Sequence, residues 1–217
     1  MTHAAGSPGI GVDGRLIVVT DRAQAAVTGQ GLIDVVAAAA DGGAPVVLLR
    51  EKDLPRDERA RLAAALVSVL AGSGTALLVA TDARLAEEVG AVGVHLAAAD
   101  DAWEAVAEAG RWLLVGRSCH GIPELQAARS AGLDYATLSP VWATASKPGY
   151  GPGLGLGGLA AGVAAVPGLP VYALGGVEPG WAADCLSAGA AGVAVMGAIM
   201  RADDPAKVVR SLLEELS

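Results

Sequence analysis

The chain has 217 residues, of which 53% are apolar and 18% are charged, a balance typical of a globular protein and not of a disordered or fibrous one. Acidic residues number 23 against 15 basic ones, which gives a formal net charge of −8. Because the chain carries no basic run and only 3% aromatic residues, nucleic acid is a poor candidate partner.

The cysteines and the apolar stretches indicate where in the cell the protein resides. Cys119 and Cys185 have neither metal-binding nor redox-motif spacing, and the first thirty residues carry no signal-peptide pattern. The longest apolar stretch, from Ala63 to Ala80, is interrupted by Ser68 and by a glycine-containing turn, so we expect no membrane anchor. We expect a cytoplasmic protein.

The first part of the chain differs from the rest. Residues 1–14 are rich in small residues without periodicity, and we expect a poorly ordered leader there. Residues 15–217 are predicted to form one domain in which short aliphatic runs alternate with longer alanine-rich stretches. Eight runs have the length and composition of strands: Leu16–Thr20, Val46–Arg50, Ala76–Ala80, Gly93–Leu96, Leu113–Gly116, Tyr135–Leu138, Val171–Leu174 and Gly192–Val195.

The longer stretches have the character of helices. Glycines follow most of them as C-terminal caps, and prolines stand near the first turn of three. They are Gly31–Ala40, Pro55–Ala71, Ala83–Val89, Ala102–Ala109, Ile122–Ala131, Gly157–Val166, Trp181–Ala188 and Pro205–Leu216. Strands that are apolar throughout and separated by helices indicate a parallel sheet buried on both faces. Eight such units predict an α/β fold, a single (β/α)8 TIM barrel, with a doubly wound open sheet as the alternative.

In such a barrel, chemistry lies on the loops that follow the strands, so polar residues directly after each predicted strand are the first candidates. Arg50 and Lys52 follow the second strand with a spacing that places both cations on one side, which suits a phosphate or pyrophosphate. The alternative is a solvated loop in which Arg50 pairs with Glu51 or Asp53.

Carboxylates follow the next two predicted strands. Asp82 comes after Thr81 at the end of the third strand, and Asp100 and Asp101 follow the fourth. Two carboxylates on adjacent barrel loops could hold a Mg²⁺ ion that bridges substrate phosphates. Asp82 and Asp101 could equally be N-caps of the helices that follow them, whereas Asp100 is harder to explain in that way.

The fifth predicted strand is followed by a hydroxyl and an imidazole. Ser118 and His120 alternate on one side of an extended segment, which suits phosphate contact or proton transfer. A structural role is the alternative for a lone histidine. The sequence offers this pair no acidic partner, which disfavours a Ser-His-Asp hydrolase. Cys119 points the other way, and we expect it to be buried.

The longest loop between a predicted strand and the next helix covers residues 139–153. It is punctuated by glycine and proline, and it carries Thr144, Ser146 and Lys147 within four residues. Hydroxyls beside a cation in a long loop are typical of a lid that closes on an anion.

Glycines mark the ends of the last two predicted strands. The seventh strand is followed by Gly175-Gly176, and the eighth by Met196-Gly197. Glycine lets backbone N–H groups approach a phosphate closely, and barrels often bind phosphate at these two loops. The residues therefore predict a phosphorylated ligand.

Seven short segments form an ordered set that spans nearly the whole predicted barrel: Arg50-Glu51-Lys52, Asp82, Gly93-Val94-His95-Leu96 with Asp100, Gly116-Arg117-Ser118-Cys119-His120, Pro140 to Lys147, Gly175-Gly176-Val177 and Gly192 to Met196. This set resembles the thiamine phosphate synthase/TenI family. The resemblance implies a barrel transferase that joins hydroxymethylpyrimidine pyrophosphate to thiazole phosphate, forming thiamine phosphate and pyrophosphate. It also implies a dissociative reaction, in which pyrophosphate leaves first and the thiazole nitrogen captures the pyrimidine cation.

The resemblance implies roles for individual residues as well. The matching pyrophosphate ligands are Arg50, Lys52, Ser118 and Lys147, and the matching magnesium ligands are Asp82 and Asp100. The matching thiazole phosphate contacts are Thr144, Ser146, Gly176, Met196 and Gly197, and Thr81 also lies among the substrate-binding positions. The expected catalytic residues are His120, Ser118 and Lys147. We expect Mg²⁺ as cofactor and small phosphorylated substrates as partners, with a homodimer as a possible assembly.

Five positions depart from the synthase pattern: Leu48 replaces the usual Gln, Thr81 an Asn, Ala97-Ala98 a Gly-Gln pair, and Gly197 a Ser. Leucine cannot replace the paired donor and acceptor of an amide. These departures resemble the TenI branch of the family, a thiazole tautomerase that isomerises the thiazole carboxylate phosphate. In that branch the histidine matching His120 shuttles the proton.

Other residues favour the synthase. Asp82, Asp100 and the segment 144–147 keep metal and pyrophosphate ligands that a tautomerase has no reason to keep. We therefore predict a Mg²⁺-dependent thiamine phosphate synthase, with the tautomerase as the alternative. A third hypothesis, motivated by Leu48 and Thr81, is a non-catalytic binder of thiazole phosphate.

Overall fold

The computed structural model describes residues 14–101, 113–143 and 153–217. Eight parallel strands pair in chain order into a closed barrel, in which the last strand pairs with the first. The strands are β1 (Leu16–Val19), β2 (Val46–Leu49), β3 (Ala76–Ala80), β4 (Gly93–Leu96), β5 (Leu114–Cys119), β6 (Tyr135–Leu138), β7 (Val171–Leu174) and β8 (Gly192–Val195). The predicted (β/α)8 TIM barrel is confirmed, and the closure excludes an open sheet.

Helices follow the strands in the sequence: α1 (Arg22–Ala25), α2 (Leu32–Asp41), α3 (Arg56–Leu70), α4 (Ala83–Val89), α5 (Ile122–Ser130), α6 (Gly155–Ala164), α7 (Ala182–Ser187), α8 (Gly197–Met200) and α9 (Pro205–Glu215). The short helices α1 and α8 were not predicted, and the helix predicted at 102–109 lies outside the described residues. None of the helices within the described ranges is long and apolar enough to cross a lipid bilayer.

Three helices begin at an aspartate whose carboxylate accepts a hydrogen bond from a backbone N–H of the first turn. Asp21, Asp82 and Asp204 cap α1, α4 and α9 in this way. A cap of this kind typically stabilises a helix by about 1 kcal/mol. The alternative interpretation of Asp82 as an N-cap therefore describes its contact with α4.

The side chains that fill the barrel interior divide it into an apolar half and a polar half. Strands β1, β2, β3 and β8 contribute aliphatic side chains that are at most 5% exposed: Ile17, Val19, Val46, Leu48, Leu78, Ala80 and Ala194. Strands β4 and β6 contribute the buried polar side chains of His95, Tyr135 and Thr137. A catalytic site built on this interior therefore has an apolar wall facing a polar one.

Tyr135 fills the polar half because the neighbouring strand leaves space for its ring. Gly116 on β5 pairs in register with Tyr135, and a Cβ at position 116 would lie 2.5 Å from Tyr135 Cε2. Tyr172 packs edge-on against the same ring, with centroids 5.8 Å apart, and its hydroxyl donates to the carbonyl of Gly14 at 2.9 Å. Gly14 is buried, and the remainder of the predicted leader, 1–13, lies outside the described residues.

Strand β5 runs further than predicted. It ends at Cys119, whereas the sequence predicted an end at Gly116; the other seven strands agree within one residue. The reason is that polar side chains belong to this strand: Ser118 bonds to a buried imidazole inside the barrel, and Arg117 donates to the carbonyl of Ala98. Cys119 is buried, as predicted.

Candidate active site

A cavity of about 510 Å³ opens at the carboxyl ends of the strands. Seven of the residues predicted from the sequence line it: Arg50, Lys52, Ser118, His120, Gly176, Met196 and Gly197. They follow or end strands β2, β5, β7 and β8, so separate turns converge on one rim. A second cavity of about 640 Å³, at the opposite end of the barrel, contains none of these residues.

The guanidinium of Arg50 is available to the cavity because its acidic neighbours pair elsewhere. Glu51, which is 3% exposed, accepts hydrogen bonds from Thr20 Oγ1 and Arg22 Nη1, both at 2.9 Å. Arg22 also pairs with Asp53 at 2.5 Å. The internal pairing of Arg50 considered as an alternative does not occur, and within the described ranges Arg50 forms no ion pair.

Ser118 is held by a buried imidazole. Nε2 of His95 lies 3.0 Å from Ser118 Oγ, and its Nδ1 lies 2.9 Å from the hydroxyl oxygen of Tyr135. Burial, with the charges of Lys52 and Arg50 as smaller causes, lowers the pKa of His95 to about 3, so the ring is neutral at physiological pH. The contact fixes the Ser118 hydroxyl at the cavity wall.

His120 is oriented by the strand next to its own. Its Nδ1 lies 2.9 Å from the carbonyl oxygen of Ser139 and 3.2 Å from Ser139 Oγ. A carbonyl oxygen only accepts, so Nδ1 carries a proton, and in the neutral ring Nε2 is then the basic nitrogen. The backbone N–H of His120 donates to Glu124 Oε2 at 2.6 Å. This geometry presents an oriented imidazole that can take or give a proton.

Gly175 and Gly176 carry the backbone past the loop that follows β6. Both adopt positive φ, 93° and 68°, and a Cβ at Gly176 would lie 2.8 Å from Trp142 Cβ. A side chain at either position would therefore be strained or would collide. Trp142 also packs against Trp181 of the cavity lining, with ring centroids 4.7 Å apart. The two glycines bring bare backbone to the cavity wall, the arrangement expected of a phosphate loop.

Arg201 is a cation of the cavity lining that was not predicted. It follows α8, and its guanidinium lies over Gly197, where a Cβ would come within 2.9 Å of Arg201 Cζ. Its Nη1 donates to Gln24 Oε1, and Gln24 Nε2 donates to Asp21 Oδ2 at 2.8 Å. The guanidinium is therefore held in place beside Gly197.

Three further residues of the lining were also missed: Asp21, Glu178 and Trp181. Asp21 could have been found by the rule applied to the other strands, since it comes two residues after the end of β1. Arg201 could not, because a four-residue helix separates it from its strand.

Thr81 and Asp82 are not among the residues that line the cavity. Thr81 has a φ of 61°, and its N–H donates to the carbonyl of His95 at 3.0 Å. One oxygen of Asp82 caps α4, and the other lies 3.3 Å from Arg56 Nε and 3.2 Å from Arg59 Nη2. The predicted substrate and metal contacts of these two residues stay predictions.

Asp100 is not among the residues that line the cavity, but it bonds to one of them. Its Oδ2 accepts a hydrogen bond from the N–H of Ala97, a residue of the lining, at 2.7 Å. The carboxylates of Asp82 and Asp100 fit Mg²⁺ in donor type, since this ion binds through one or two carboxylates together with substrate phosphates. Within the described part of the chain, no group of three or more His, Cys, Asp or Glu could hold a metal. The fit therefore depends on phosphate oxygens, and Arg56 and Arg59 compete for Asp82.

Three predicted phosphate contacts, Thr144, Ser146 and Lys147, lie outside the described residues. The loop that carries them is described at its two ends only. There the N–H groups of Leu154 and Gly155 donate to carbonyls of the segment after β6, both at 2.9 Å. The predicted contacts themselves stay predictions.

Comparison with known proteins gives a consistent result. A family model described as thiamine monophosphate synthase matches residues 16–199. A Geobacter sulfurreducens protein provisionally named thiamine-phosphate synthase is 41% identical over 204 residues, 93% of this chain and 94% of the relative. The thiamine-phosphate synthase of Methanoculleus marisnigri is 37% identical over 206 residues, 93% of this chain and 95% of the relative.

A solved structure is similar along nearly the whole chain. The thiamine phosphate pyrophosphorylase from Pyrococcus furiosus superimposes with a TM-score of 0.83 at 28% identity, over 94% of this chain and 96% of that one. Sequence and fold thus agree on the same group of proteins. The chain belongs to the thiamine monophosphate synthase family.

Proposed function

We propose that the protein is a thiamine phosphate synthase, a transferase that condenses hydroxymethylpyrimidine pyrophosphate with thiazole phosphate. The observation that carries this proposal is the convergence of Arg50, Lys52 and Ser118 on one cavity in a chain of this family. In the reaction, the bond between the pyrimidine methylene carbon and pyrophosphate breaks, and its electron pair leaves with pyrophosphate. The thiazole nitrogen then forms the new C–N bond, and the step balances without a proton transfer.

One set of lining residues, Arg50, Lys52 and Ser118, suits the departing pyrophosphate. Ionisation of the substrate places growing negative charge on the leaving group, and fixed cations in a partly enclosed site stabilise that charge more than water does. Arg50 is half-buried and forms no ion pair within the described residues, and Lys52 lines the same wall. The Ser118 hydroxyl, which is bonded to His95, adds a neutral hydrogen-bonding group to the cavity lining.

A second set of lining residues suits the thiazole phosphate. Gly176 and Gly197 expose backbone to the cavity, and the Arg201 guanidinium lies directly beside Gly197. A guanidinium can bind phosphate through two parallel hydrogen bonds, which fixes orientation as well as charge. Two sets of anion-binding groups in one cavity support a substrate pair that carries phosphorus groups on separate molecules.

We propose Mg²⁺ as the cofactor. Asp82 and Asp100 would hold the ion together with substrate phosphate oxygens, and the ion would supply positive charge that favours departure of pyrophosphate. Support comes from the donor chemistry of the two carboxylates, which follow the adjacent strands β3 and β4. The pairing of Asp82 with Arg56 and Arg59 implies that the metal must compete with two cations for this oxygen.

A thiazole tautomerase is the second candidate, and the apolar wall of the barrel favours it. Leu48, which stands where synthases usually carry Gln, is 2% exposed and packs in the aliphatic half of the interior. It offers no hydrogen bond to a pyrimidine ring. His120, with Nδ1 bonded to a carbonyl, has the geometry of a proton shuttle. His120→Asn should then abolish isomerisation of the thiazole carboxylate phosphate.

The deciding experiment incubates the purified protein with both synthase substrates and Mg²⁺, and it measures release of pyrophosphate and formation of thiamine phosphate. We expect turnover that Arg50→Gln lowers strongly and that Arg61→Gln, on the exposed face of α3, leaves unchanged. Absence of pyrophosphate release at high enzyme concentration would exclude the proposed synthase activity. Isomerisation would then identify the tautomerase, and calorimetric binding of thiazole phosphate without any turnover would identify the non-catalytic binder.

A cytoplasmic location and a homodimer stay predictions. Cys119 and Cys185 are free and buried, which is compatible with a reducing compartment. Sedimentation velocity of the purified protein tests the dimer, because a monomer and a dimer of this chain differ twofold in mass.

A further inference from the structure

Three side chains form a continuous hydrogen-bonded chain from the barrel interior to the cavity. Tyr135 Oη lies 2.9 Å from Nδ1 of His95, and Nε2 of His95 lies 3.0 Å from Ser118 Oγ. Tyr135 is 3% exposed and His95 is 5% exposed, while Ser118 lines the cavity. The direction of each hydrogen bond in this chain decides what Ser118 offers to a ligand.

The direction follows from the buried hydroxyl of Tyr135. Within the described residues its only hydrogen-bond partner is Nδ1 of His95. If Nδ1 carried a proton, the Tyr135 oxygen would accept it and the Tyr135 hydrogen would be buried without an acceptor, which is costly. The Tyr135 hydroxyl therefore donates to Nδ1, which must be unprotonated.

The protonation of the His95 ring then sets the direction of its hydrogen bond with Ser118. The ring is neutral, because burial lowers the pKa of His95 to about 3, so its one proton resides on Nε2. Nε2–H then donates to Ser118 Oγ, and the serine hydroxyl keeps its own hydrogen for another partner. Among the described residues His95 is the hydrogen-bond partner of Ser118 Oγ, and because Ser118 lines the cavity, its hydrogen can be donated to a ligand there.

We propose that Tyr135 and His95 are positioning residues that fix the Ser118 hydroxyl as a hydrogen-bond donor to an anion in the cavity. The identity of that anion as pyrophosphate rests on the proposed function. In the reverse arrangement, Ser118 would spend its hydrogen on His95 and present only lone pairs, which repel phosphate oxygens. The same polarity means that His95 cannot take the proton of Ser118, so the serine is a ligand and not a nucleophile.

The first test reads the imidazole directly. The chain contains three histidines, so ¹⁵N-histidine labelling with His95→Gln and His120→Gln variants assigns the ring signals. We expect His95 to show a protonated Nε2 and an unprotonated Nδ1 at every pH between about 8 and 5, without titration. A protonated Nδ1, or an imidazolium in that range, would overturn the proposal whether or not the enzyme is active.

The second test measures whether Tyr135 affects pyrophosphate binding through Ser118. Binding of inorganic pyrophosphate in the presence of Mg²⁺ is titrated by calorimetry for the wild type, Tyr135→Phe, Ser118→Ala and the double variant. We expect Tyr135→Phe to weaken binding about three- to tenfold in the wild-type background, the range of one neutral hydrogen bond, and to have no effect once Ser118 is Ala. An equal loss in both backgrounds would mean that Tyr135 acts on packing alone, and it would refute the positioning role.

Tyr172→Phe is the matched control, because it also removes a phenolic hydroxyl from the barrel interior. Its hydroxyl donates to the Gly14 carbonyl and takes no part in the chain to Ser118. We expect unchanged pyrophosphate binding for this variant. Neither test requires turnover, so failure of the synthase assay and failure of the positioning role are distinguishable.

Discussion

The guanidinium of Arg201 occupies the space that a side chain at position 197 would need. A Cβ on Gly197 would lie 2.9 Å from Arg201 Cζ and 2.8 Å from its Nη2. Where the synthase pattern has a serine hydroxyl in this loop, the present chain has a glycine and a cation above it. The loop therefore exchanges a neutral donor for a positively charged one that can bind phosphate through two nitrogens.

Substitution of Arg201 should weaken binding of thiazole phosphate specifically. We expect Arg201→Gln to raise KM for thiazole phosphate about 10- to 100-fold, the range of a lost charge-assisted hydrogen bond, with a smaller effect on the pyrimidine substrate. Steady-state kinetics with each substrate varied in turn measures this. Arg210→Gln, exposed on α9, is the matched control, and an equal effect of the two variants would rule out the phosphate contact.

Substitution of Arg50 should act on the pyrophosphate group of the pyrimidine substrate. We expect Arg50→Gln to lower kcat/KM for the pyrimidine substrate about 100-fold or more, because the leaving group loses a fixed cation. Arg50→Lys keeps the positive charge and loses the planar guanidinium, so its kcat/KM should lie between those of the wild type and Arg50→Gln. If Arg50→Gln retained wild-type kinetics, pyrophosphate would have to bind elsewhere.

The glycine opposite Tyr135 should be required for stability. A Cβ at position 116 would collide with the Tyr135 ring, so Gly116→Ala should destabilise the barrel by about 1–3 kcal/mol, as measured by urea unfolding. Gly157→Ala is the matched control, since a Cβ there meets no atom within 4 Å and the residue lies in α6. That change should leave stability unchanged or raise it by about 1 kcal/mol. Equal stability of the two variants would contradict the packing described for Tyr135.

Acid should destabilise the protein through His95. Its pKa is lowered in the folded state to about 3 from 6.5, so the unfolded chain binds the proton first as the pH falls. Stability from the neutral ring is complete above pH 6.5 and is lost progressively between pH 6.5 and 3. Between pH 7.5 and 5.5 we expect the free energy of unfolding to fall by about 1 kcal/mol more in the wild type than in His95→Gln. Parallel pH profiles would show that the ring is accessible to protons in the fold.

The carboxylate of Asp100 should set the magnesium requirement. We expect Asp100→Asn to raise the Mg²⁺ concentration for half-maximal activity about tenfold, because an amide oxygen is a weaker ligand than a carboxylate. Titration of Mg²⁺ against activity measures this, with the exposed Asp203→Asn as control. An unaltered Mg²⁺ titration would mean that Asp100 does not bind the metal and that its role is the hydrogen bond with the N–H of Ala97.

The sequence predicted the barrel because its strands are short, aliphatic and separated by capped helices. It also predicted which strand ends meet, since parallel strands of a barrel place all their carboxyl ends on one rim. It did not predict the end of β5, because the polar Ser118 is typical of a loop unless its partner His95 is known. That partner lies on another strand, and single-sequence patterns do not pair residues across strands.

Other features of the site depend on contacts between distant segments. The pairing of Arg22 with Glu51 and Asp53 joins the first turn of α1 to the loop after β2, so it could not be predicted from the charge run alone. The two arginines beside Asp82 come from α3, which the sequence identified only as a helix. These contacts decide which charges remain available to a ligand.

The proposed reaction requires that the rim of the barrel binds a pyrophosphate group. A crystal of the wild-type protein soaked with magnesium pyrophosphate tests it most directly. We predict pyrophosphate density in the cavity of about 510 Å³, with oxygens in contact with Arg50, Lys52 and the hydroxyl of Ser118. Pyrophosphate bound only outside that cavity, with these three side chains contacting solvent, would contradict pyrophosphate binding at the rim of the barrel.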